Sequence, residues 1–239
     1  DKETGRLLYI NPAAGAITTI DLDHQQLLGH TLAAIAAEKA GIVKPGMRLV
    51  VGERKPEAVD VIAAACASQG ATMIPAWDGV AAAVATRAGG LASMDAGVSL
   101  SLRTPRHDYG EVSLSLRGRH QADNAVVAVR LLEALGPAGL HVPPGAVQAA
   151  LTSTRWPGRL DLRRLDGGRS VLLDAAHNPA GAGVLASYLS EFAPSGLPLV
   201  FAIMKDKDAP GTLAPLLPYA RPLIVTRPST PRALAPEEV

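Results

Sequence analysis

Cysteine is almost missing from this chain of 239 residues, and Cys66 has no second thiol with which to close an internal disulfide. A disulfide-stapled secreted scaffold is thereby excluded, and a reducing, cytoplasmic setting is the expectation. Aromatic side chains are scarce as well, with two Phe, two Trp and four Tyr. The core must instead be built from small aliphatic side chains, as in layers of helix on sheet. Lys plus Arg number 23 against 22 for Asp plus Glu, a net charge of +1, so no global field draws the chain to nucleic acid or to an anionic membrane. No apolar run approaches the length of a membrane span, and no basic stretch followed by an apolar one opens the chain. Asp1-Lys2-Glu3-Thr4-Gly5 at the start and Pro236-Glu237-Glu238-Val239 at the end both read as cut ends.

What the chain does have is alternation. Short apolar or β-branched runs bounded by turn residues predict buried strands at Ala16–Ile20, Arg48–Gly52, Ala71–Pro75, Ser170–Asp174, Leu197–Ile203 and Pro222–Thr226. Ala-rich helical patterns lie between them near Thr31–Ala40, Pro56–Ser68, Pro179–Phe192 and Gly211–Tyr219. This order argues for an α/β protein with a largely parallel sheet covered on both faces. Ser99–Arg103 and Glu111–Arg117 alternate differently, around Pro105 and Gly110, and predict an antiparallel hairpin. A helix follows from about His120 to Leu135, and a short one after Pro144. Proline and glycine cluster around Arg155-Trp156-Pro157-Gly158-Arg159, which places a domain boundary between residues 153 and 154. Cys66, inside an apolar run, is expected to be a buried structural thiol.

Four polar clusters stand where chemistry is expected. Thr18-Thr19-Ile20-Asp21-Leu22-Asp23-His24 ends the first predicted strand, and Glu38-Lys39-Ala40-Gly41-Ile42 follows one helix later. Ligand sites in open α/β sheets gather at such strand ends. His24 is a candidate ligand for a divalent cation, and a desolvated Lys39 a candidate nucleophile toward carbon dioxide. On the residues alone, a loop hydrogen-bonder and a solvated helix lysine are the plainer reading. The second cluster joins Trp156-Pro157-Gly158-Arg159 to Asp174-Ala175-Ala176-His177-Asn178-Pro179. Asn178 suits a helix N-cap and Pro179 the first helical position, so a helix N-terminus would face an anion there. Arg159 suits a phosphate, and Asp174 a ribose or an amine; a capped turn with a surface ion pair is the alternative. In the third, Gly118-Arg119-His120-Gln121-Ala122-Asp123-Asn124-Ala125, Asn124 has the amide to meet a purine edge or to serve structure alone. The fourth, Met204-Lys205-Asp206-Lys207-Asp208, is a solvated loop or a substrate edge.

Taken in order, these stretches resemble the folylpolyglutamate synthase/dihydrofolate synthase family of the Mur ligase superfamily. Ile17 to His24 is similar to its "ITxIxLDH" stretch and Glu38 to Ile42 matches "EKAGI". His120-Gln121 with Asn124-Ala125, Pro157-Gly158-Arg159, Asp174 with Ala176-His177-Asn178-Pro179, and Lys205-Asp206-Lys207-Asp208 match later ones. The resemblance implies the remainder of a central ATPase domain at 1–153 and a smaller Rossmann-like ligase domain at 154–239, with a catalytic cleft between them. It further implies His24 as a magnesium ligand, Lys39 as a carboxylated lysine, Asn124, Arg159 and Asp174 as ATP contacts, and His177 as a catalytic residue. Mg²⁺ is the implied ion, with K⁺ as a second candidate. The implied reaction joins L-glutamate to dihydropteroate or a reduced folate through an acyl phosphate made from ATP, in a monomer needing neither nucleic acid nor membrane.

Two departures qualify what this chain does alone. The family's Gly-rich phosphate loop with Lys and Ser has no counterpart among the 239 residues, so the chain by itself is expected to bind ATP poorly and catalyse little. Gly5-Arg6-Leu7-Leu8-Tyr9-Ile10-Asn11 keeps only the ends of the family's "GGRLDATN"; alternatively Glu3-Thr4-Gly5 is its upstream "E(T/V)G", which makes Glu3 a candidate metal ligand. A muramyl-type amino-acid ligase, and a binding or scaffold protein that kept the fold without the chemistry, are the competing expectations.

Overall fold

A computed structural model describes residues 12–21, 31–87, 89 and 97–239. Glu3 and His24, and with them the Gly5–Asn11 comparison, lie outside the described residues. The chain folds as two compact units: residues 1–82, 101–110 and 123–149 in the first, and 83–100, 111–122 and 150–239 in the second.

The first unit is organised on a three-stranded parallel sheet. Strands β1 (Ala14–Ile17), β2 (Arg48–Val51) and β3 (Thr72–Pro75) pair in that order, Ala14 opposite Arg48 and Arg48 opposite Thr72. Side chains of successive strand residues point to opposite faces, and β2 shows the result. Leu49 and Val51 pack into one core with Ile17, Ile35, Ile62 and Cys66, whereas Val50 packs into another with Ala76, Val127 and Ala134. The sheet is therefore covered on both faces, as a parallel sheet requires. Each fully buried Leu, Ile or Val there contributes about 1.5–3 kcal/mol relative to exposure.

Helices α1 (Leu32–Ala40) and α2 (Pro56–Ser68) supply the first of these cores, through Ile35, Ala36, Ala58 and Ile62. Thr31 caps α1 by accepting the Ala34 amide at 3.1 Å, and Pro56 opens α2 with the φ a first helical turn needs. Helix α3 (His120–Ala134) supplies Val127 and Ala134 to the second core. Gly52 makes that approach possible: a Cβ there would lie 2.5 Å from Val127 Cγ2 and 3.5 Å from the Thr18 Cα.

Strands β4 (Ala81–Arg87), β5 (Gly97–Arg103) and β6 (Asp108–Leu114) form a second sheet in that order. Only four residues join β5 to β6, so the pair is antiparallel. The hairpin was expected, but its second strand begins and ends three residues earlier than the alternation suggested. Thr104 decides this: its amide donates to the His107 carbonyl at 2.9 Å, and its hydroxyl accepts the amides of Arg106 and His107. Helix α4 (Pro144–Ser153) follows.

In the second unit, β8 (Ser170–Leu173) departs from the expected parallel set. It pairs antiparallel with β7 (Asp161–Arg164), Asp161 opposite Leu173. Helix α5 (Pro179–Phe192) then leads to β9 (Leu197–Phe201), which pairs parallel with β10 (Ala220–Val225). Their core gathers Leu160, Leu185, Tyr188, Leu189, Phe201 and Ile203. The helix expected over Gly211–Tyr219 is instead a short α6 (Ala209–Leu213) running into a 3₁₀ segment at Ala214–Tyr219. Pro215 and Pro218 bring no N–H to an α-helical ladder, so it cannot propagate through them.

Candidate active site

Polar residues gather at the C-terminal ends of β1 and β2. Glu53, 7% exposed, accepts the backbone amide of Ile20 through Oε2 and those of Arg54 and Lys55 through Oε1. Burial pushes this carboxyl upward, but the amides of Lys55, Ile20 and Arg54, with the charge of Lys55, outweigh it and hold Glu53 below its ordinary value. Lys55 completes a clamp by donating to the Ile20 carbonyl at 2.7 Å and pairing with Asp21 at 2.6 Å. The last described residues before the His24 stretch are thus held from both sides. Beside them Arg54 lies 3.7 Å over the ring of Trp77, whose indole N–H donates to the Gly52 carbonyl. Sequence reasoning missed Glu53 and Lys55. The signal was available: Glu53-Arg54-Lys55 follows a buried strand and precedes a helix-starting proline, the same pattern used for the other clusters.

Asn124 is exposed on α3 three residues before Val127, and so on the side of the helix that meets Gly52. Lys39 is placed elsewhere. It is exposed in the last turn of α1, roughly 12 Å along the helix from Thr31 at 1.5 Å per residue. Since α1 returns from the C-terminal end of β1 to the start of β2, its first turn is the part that faces the strand ends. Glu57, in the first turn of α2, accepts the Ala33 amide there at 3.3 Å.

Arg159, Asp174 and His177 are brought together at the end of β8, within the second unit. Asp174 accepts the Leu160 amide through Oδ2 and the Ala176 amide through Oδ1, each at 2.9 Å. Ala175 N–H donates to the Gly158 carbonyl at 2.8 Å. The loop before β7 is therefore tied to the loop after β8, with Arg159 exposed between the two tie points. Asp161 accepts the Gly158 amide, and the Arg163 guanidinium bonded to it holds it below the usual carboxylate range.

His177 is exposed and its Nδ1 lies 2.9 Å from the Ala175 carbonyl. A carbonyl only accepts, so Nδ1 carries a proton in this contact. Asn178 caps α5 as its side chain promised, accepting the Gly181 amide at 2.7 Å. The cap narrows what the helix start offers an anion. Pro179 has no N–H, Gly181 is taken by the Asn178 side chain and Ala182 by its carbonyl, which leaves the Ala180 amide as the donor of that turn. In the fourth cluster Asp206 is paired with Arg232 at 3.0 Å and Asp208 caps α6 through the Gly211 amide. Among the described residues no group of three His, Cys, Asp or Glu is arranged to hold a metal ion, and the candidate ligands His24 and Glu3 lie outside them.

The chain matches the Mur ligase middle domain over residues 1–132 and the glutamate ligase domain of Mur ligases over residues 158–239. It belongs to the Mur ligase family. This Mur ligase chain is 36% identical over 234 residues to the dihydrofolate synthase/folylpolyglutamate synthase of Mycobacterium tuberculosis, covering 94% of itself and 46% of that protein. It is 34% identical over 200 residues to the Bacillus subtilis protein of the same name, covering 83% of itself and 45% of that protein. It spans about half the length of the curated relatives it matches. A solved Mycobacterium tuberculosis folylpolyglutamate synthase, complexed with ADP and AMPPCP, superposes with a TM-score of 0.79 at 35% identity over 95% of this chain and 50% of that one. The mixed α/β architecture with parallel sheets and helices is thus that of a Mur ligase.

Proposed function

We propose that this Mur ligase chain is part of an ATP-dependent amide ligase that adds L-glutamate to dihydropteroate or to reduced folate polyglutamates. The support that carries the reading is the pair of family matches in chain order, together with named dihydrofolate/folylpolyglutamate synthase relatives at 34–36% identity. In the proposed reaction the γ-phosphoryl group of ATP passes to the pteridine-linked carboxylate, giving an acyl phosphate and ADP. The glutamate amine then attacks the carbonyl carbon, the C–O bond to phosphate breaks, and the amine loses a proton. Arg159, exposed on a loop tied at both sides, suits a phosphoryl oxygen. His177 is proposed to take the proton leaving the amine. Asn124 is proposed to meet the adenine edge, and Asp174 to contact ATP.

The family resemblance proposes Mg²⁺, with K⁺ as a second candidate, at His24 and Glu3. A bound divalent cation would neutralise charge on the transferring phosphoryl group. It also proposes a carboxylated Lys39. Lys39 is exposed, and an intact-mass comparison with and without bicarbonate tests this part alone. A domain boundary between 153 and 154, a monomer and a cytoplasmic setting complete the reading. So does the expectation that these 239 residues, without a Gly-rich phosphate loop among them, turn over little by themselves.

The test is to supply the intact gene product with MgATP, L-glutamate and, separately, dihydropteroate, tetrahydrofolate or a muramyl peptide precursor. Phosphate release and a product heavier by one glutamyl residue are expected with a folate substrate. Turnover of the muramyl substrate alone would replace the folate reading, and nucleotide binding without turnover of any substrate would favour a binding protein.

A further inference from the structure

The geometry points to a binding pocket for a small organic anion, a carboxylate or phosphate ester with an apolar body, at the C-terminal end of α3. A cavity of about 240 Å³ opens there between the turn from β5 to β6, the end of α3 and the connection from α3 to α4. That is below the roughly 300–1,000 Å³ of sites for drug-sized ligands, so it suits a small metabolite and not a nucleotide. The lining belongs wholly to the first unit. Glu133, which is part of it, lies roughly 14 Å along α3 from Asn124 at 1.5 Å per residue. The inference does not depend on the ligase reading.

Arg106, His107 and His141 bring hydrogen-bond donors to this cavity, and an imidazole has an N–H to give in either tautomer. The first two sit on a fixed turn: the Thr104 hydroxyl oxygen accepts their amides and donates to Glu133 at 2.6 Å. Glu133 is the carboxylate of the lining, but it is paired with Arg130 at 3.0 Å. Arg106 makes no ion pair among the described residues. Gly136 shows how the donors meet. Its backbone is not left-handed, so conformation does not demand glycine, yet a Cβ there would lie 2.8 Å from Arg106 Nη1 and 3.7 Å from His141 Nδ1. The missing side chain lets a guanidinium and an imidazole from separate segments converge on one point. Two donors converging without a carboxylate between them make an arrangement that an anion completes. Much of the remaining lining is apolar. Leu132, Pro143 and Val147 stand with Leu140 and Val142, which are 56% and 37% exposed. A ligand with an apolar body would take these side chains out of water, whereas an inorganic anion would leave them there.

The test titrates benzoate, phenyl phosphate, acetate and benzyl alcohol into the protein and follows the amide signals of His107, Gly136 and His141 in a ¹H–¹⁵N spectrum. Benzoate or phenyl phosphate is expected to move those signals, and the tighter of the two names the head group. It should bind about tenfold more tightly than benzyl alcohol, which lacks the charge, and about tenfold more tightly than acetate, which lacks the body. Arg106→Ala should weaken this probe by about tenfold. Gly136→Ala displaces only the far end of the Arg106 side chain, so it should weaken the probe while leaving the thermal midpoint unchanged. Should Arg106→Ala not fold, Arg106→Gln is read by the same outcomes. The inference is overturned if neither organic anion moves the three signals, or if either Arg106→Ala or Gly136→Ala leaves the affinity unchanged. Benzyl alcohol or acetate binding as tightly as the better probe would overturn it too, since the charge or the apolar lining would then contribute nothing.

Discussion

Glu53 and Ile20 are 33 positions apart, and the buried carboxylate of one accepts the backbone amide of the other at the C-terminal ends of two adjacent parallel strands. The bond is one of three that Glu53 makes to amides, and Lys55 takes the carbonyl of the same isoleucine. Glu53→Ala would leave those donors without their acceptor, at a cost of roughly 2–3 kcal/mol. The sign of the pH dependence follows from the lowered folded-state value. Glu53 contributes stability fully above its unfolded value near 4.5, and that contribution is lost as pH falls through the lower folded value. Urea unfolding of wild type and Glu53→Gln across acid pH should show this slope in the wild type and a shallower one in the variant.

Gly52 is a packing requirement more than a conformational one. A methyl group there would meet Val127 Cγ2 at 2.5 Å, so Gly52→Ala is expected to destabilise the first unit by roughly 1–3 kcal/mol through overpacking. Val127→Ala removes the group in the way. The double variant should therefore lose less than the sum of the single ones, and an additive result in thermal melts would contradict the contact.

Glu133 is buried and accepts hydrogen bonds from Thr104 at 2.6 Å, Tyr109 at 3.1 Å and Arg130 at 3.0 Å. Burial first, and then the neighbouring Glu133 charge, push the Tyr109 phenol up to about 12. A raised phenol stabilises the fold fully below its unfolded value near 10, and this stabilisation is lost as pH rises through the folded value. An ultraviolet phenolate titration should contain one late step that Tyr109→Phe abolishes, at a cost of about 1 kcal/mol in stability.

Cys66 packs against Ile62 and Leu49 at 2% exposure, and burial raises its thiol above the ordinary value. It should react with a disulfide reagent at a rate set by opening of the fold, and rapidly in denaturant. Fast stoichiometric labelling under native conditions would show that this face of α2 is not packed into the core.

The elements with the clearest chemistry of their own were legible. Helix α2 runs from Pro56 to Ser68 and α5 from Pro179 to Phe192, as their N-terminal prolines and apolar spacing indicated, and Asn178 caps α5. Strands β4 and β7 were not read, because an Ala-rich strand and the charged Asp161-Leu162-Arg163-Arg164 carry little β pattern when packing does not yet weigh in. The Arg159, Asp174 and His177 cluster was visible as a strand end followed by a capped helix. The Glu53 clamp was equally polar but was passed over, since no single residue in it advertised a ligand.

Local chemistry therefore determined the α/β class, most strands and helices, the caps and the strand ends where polar residues would gather, because each depends on neighbours within a turn or a strand. Tertiary structure alone decided that β8 pairs antiparallel with β7, that Lys39 stands exposed at the far end of α1 and that Leu160 is held left-handed by Asp174. Those outcomes are set by partners 6 to 14 positions away or by which end of a helix returns to the sheet, and no short-range pattern carries that information.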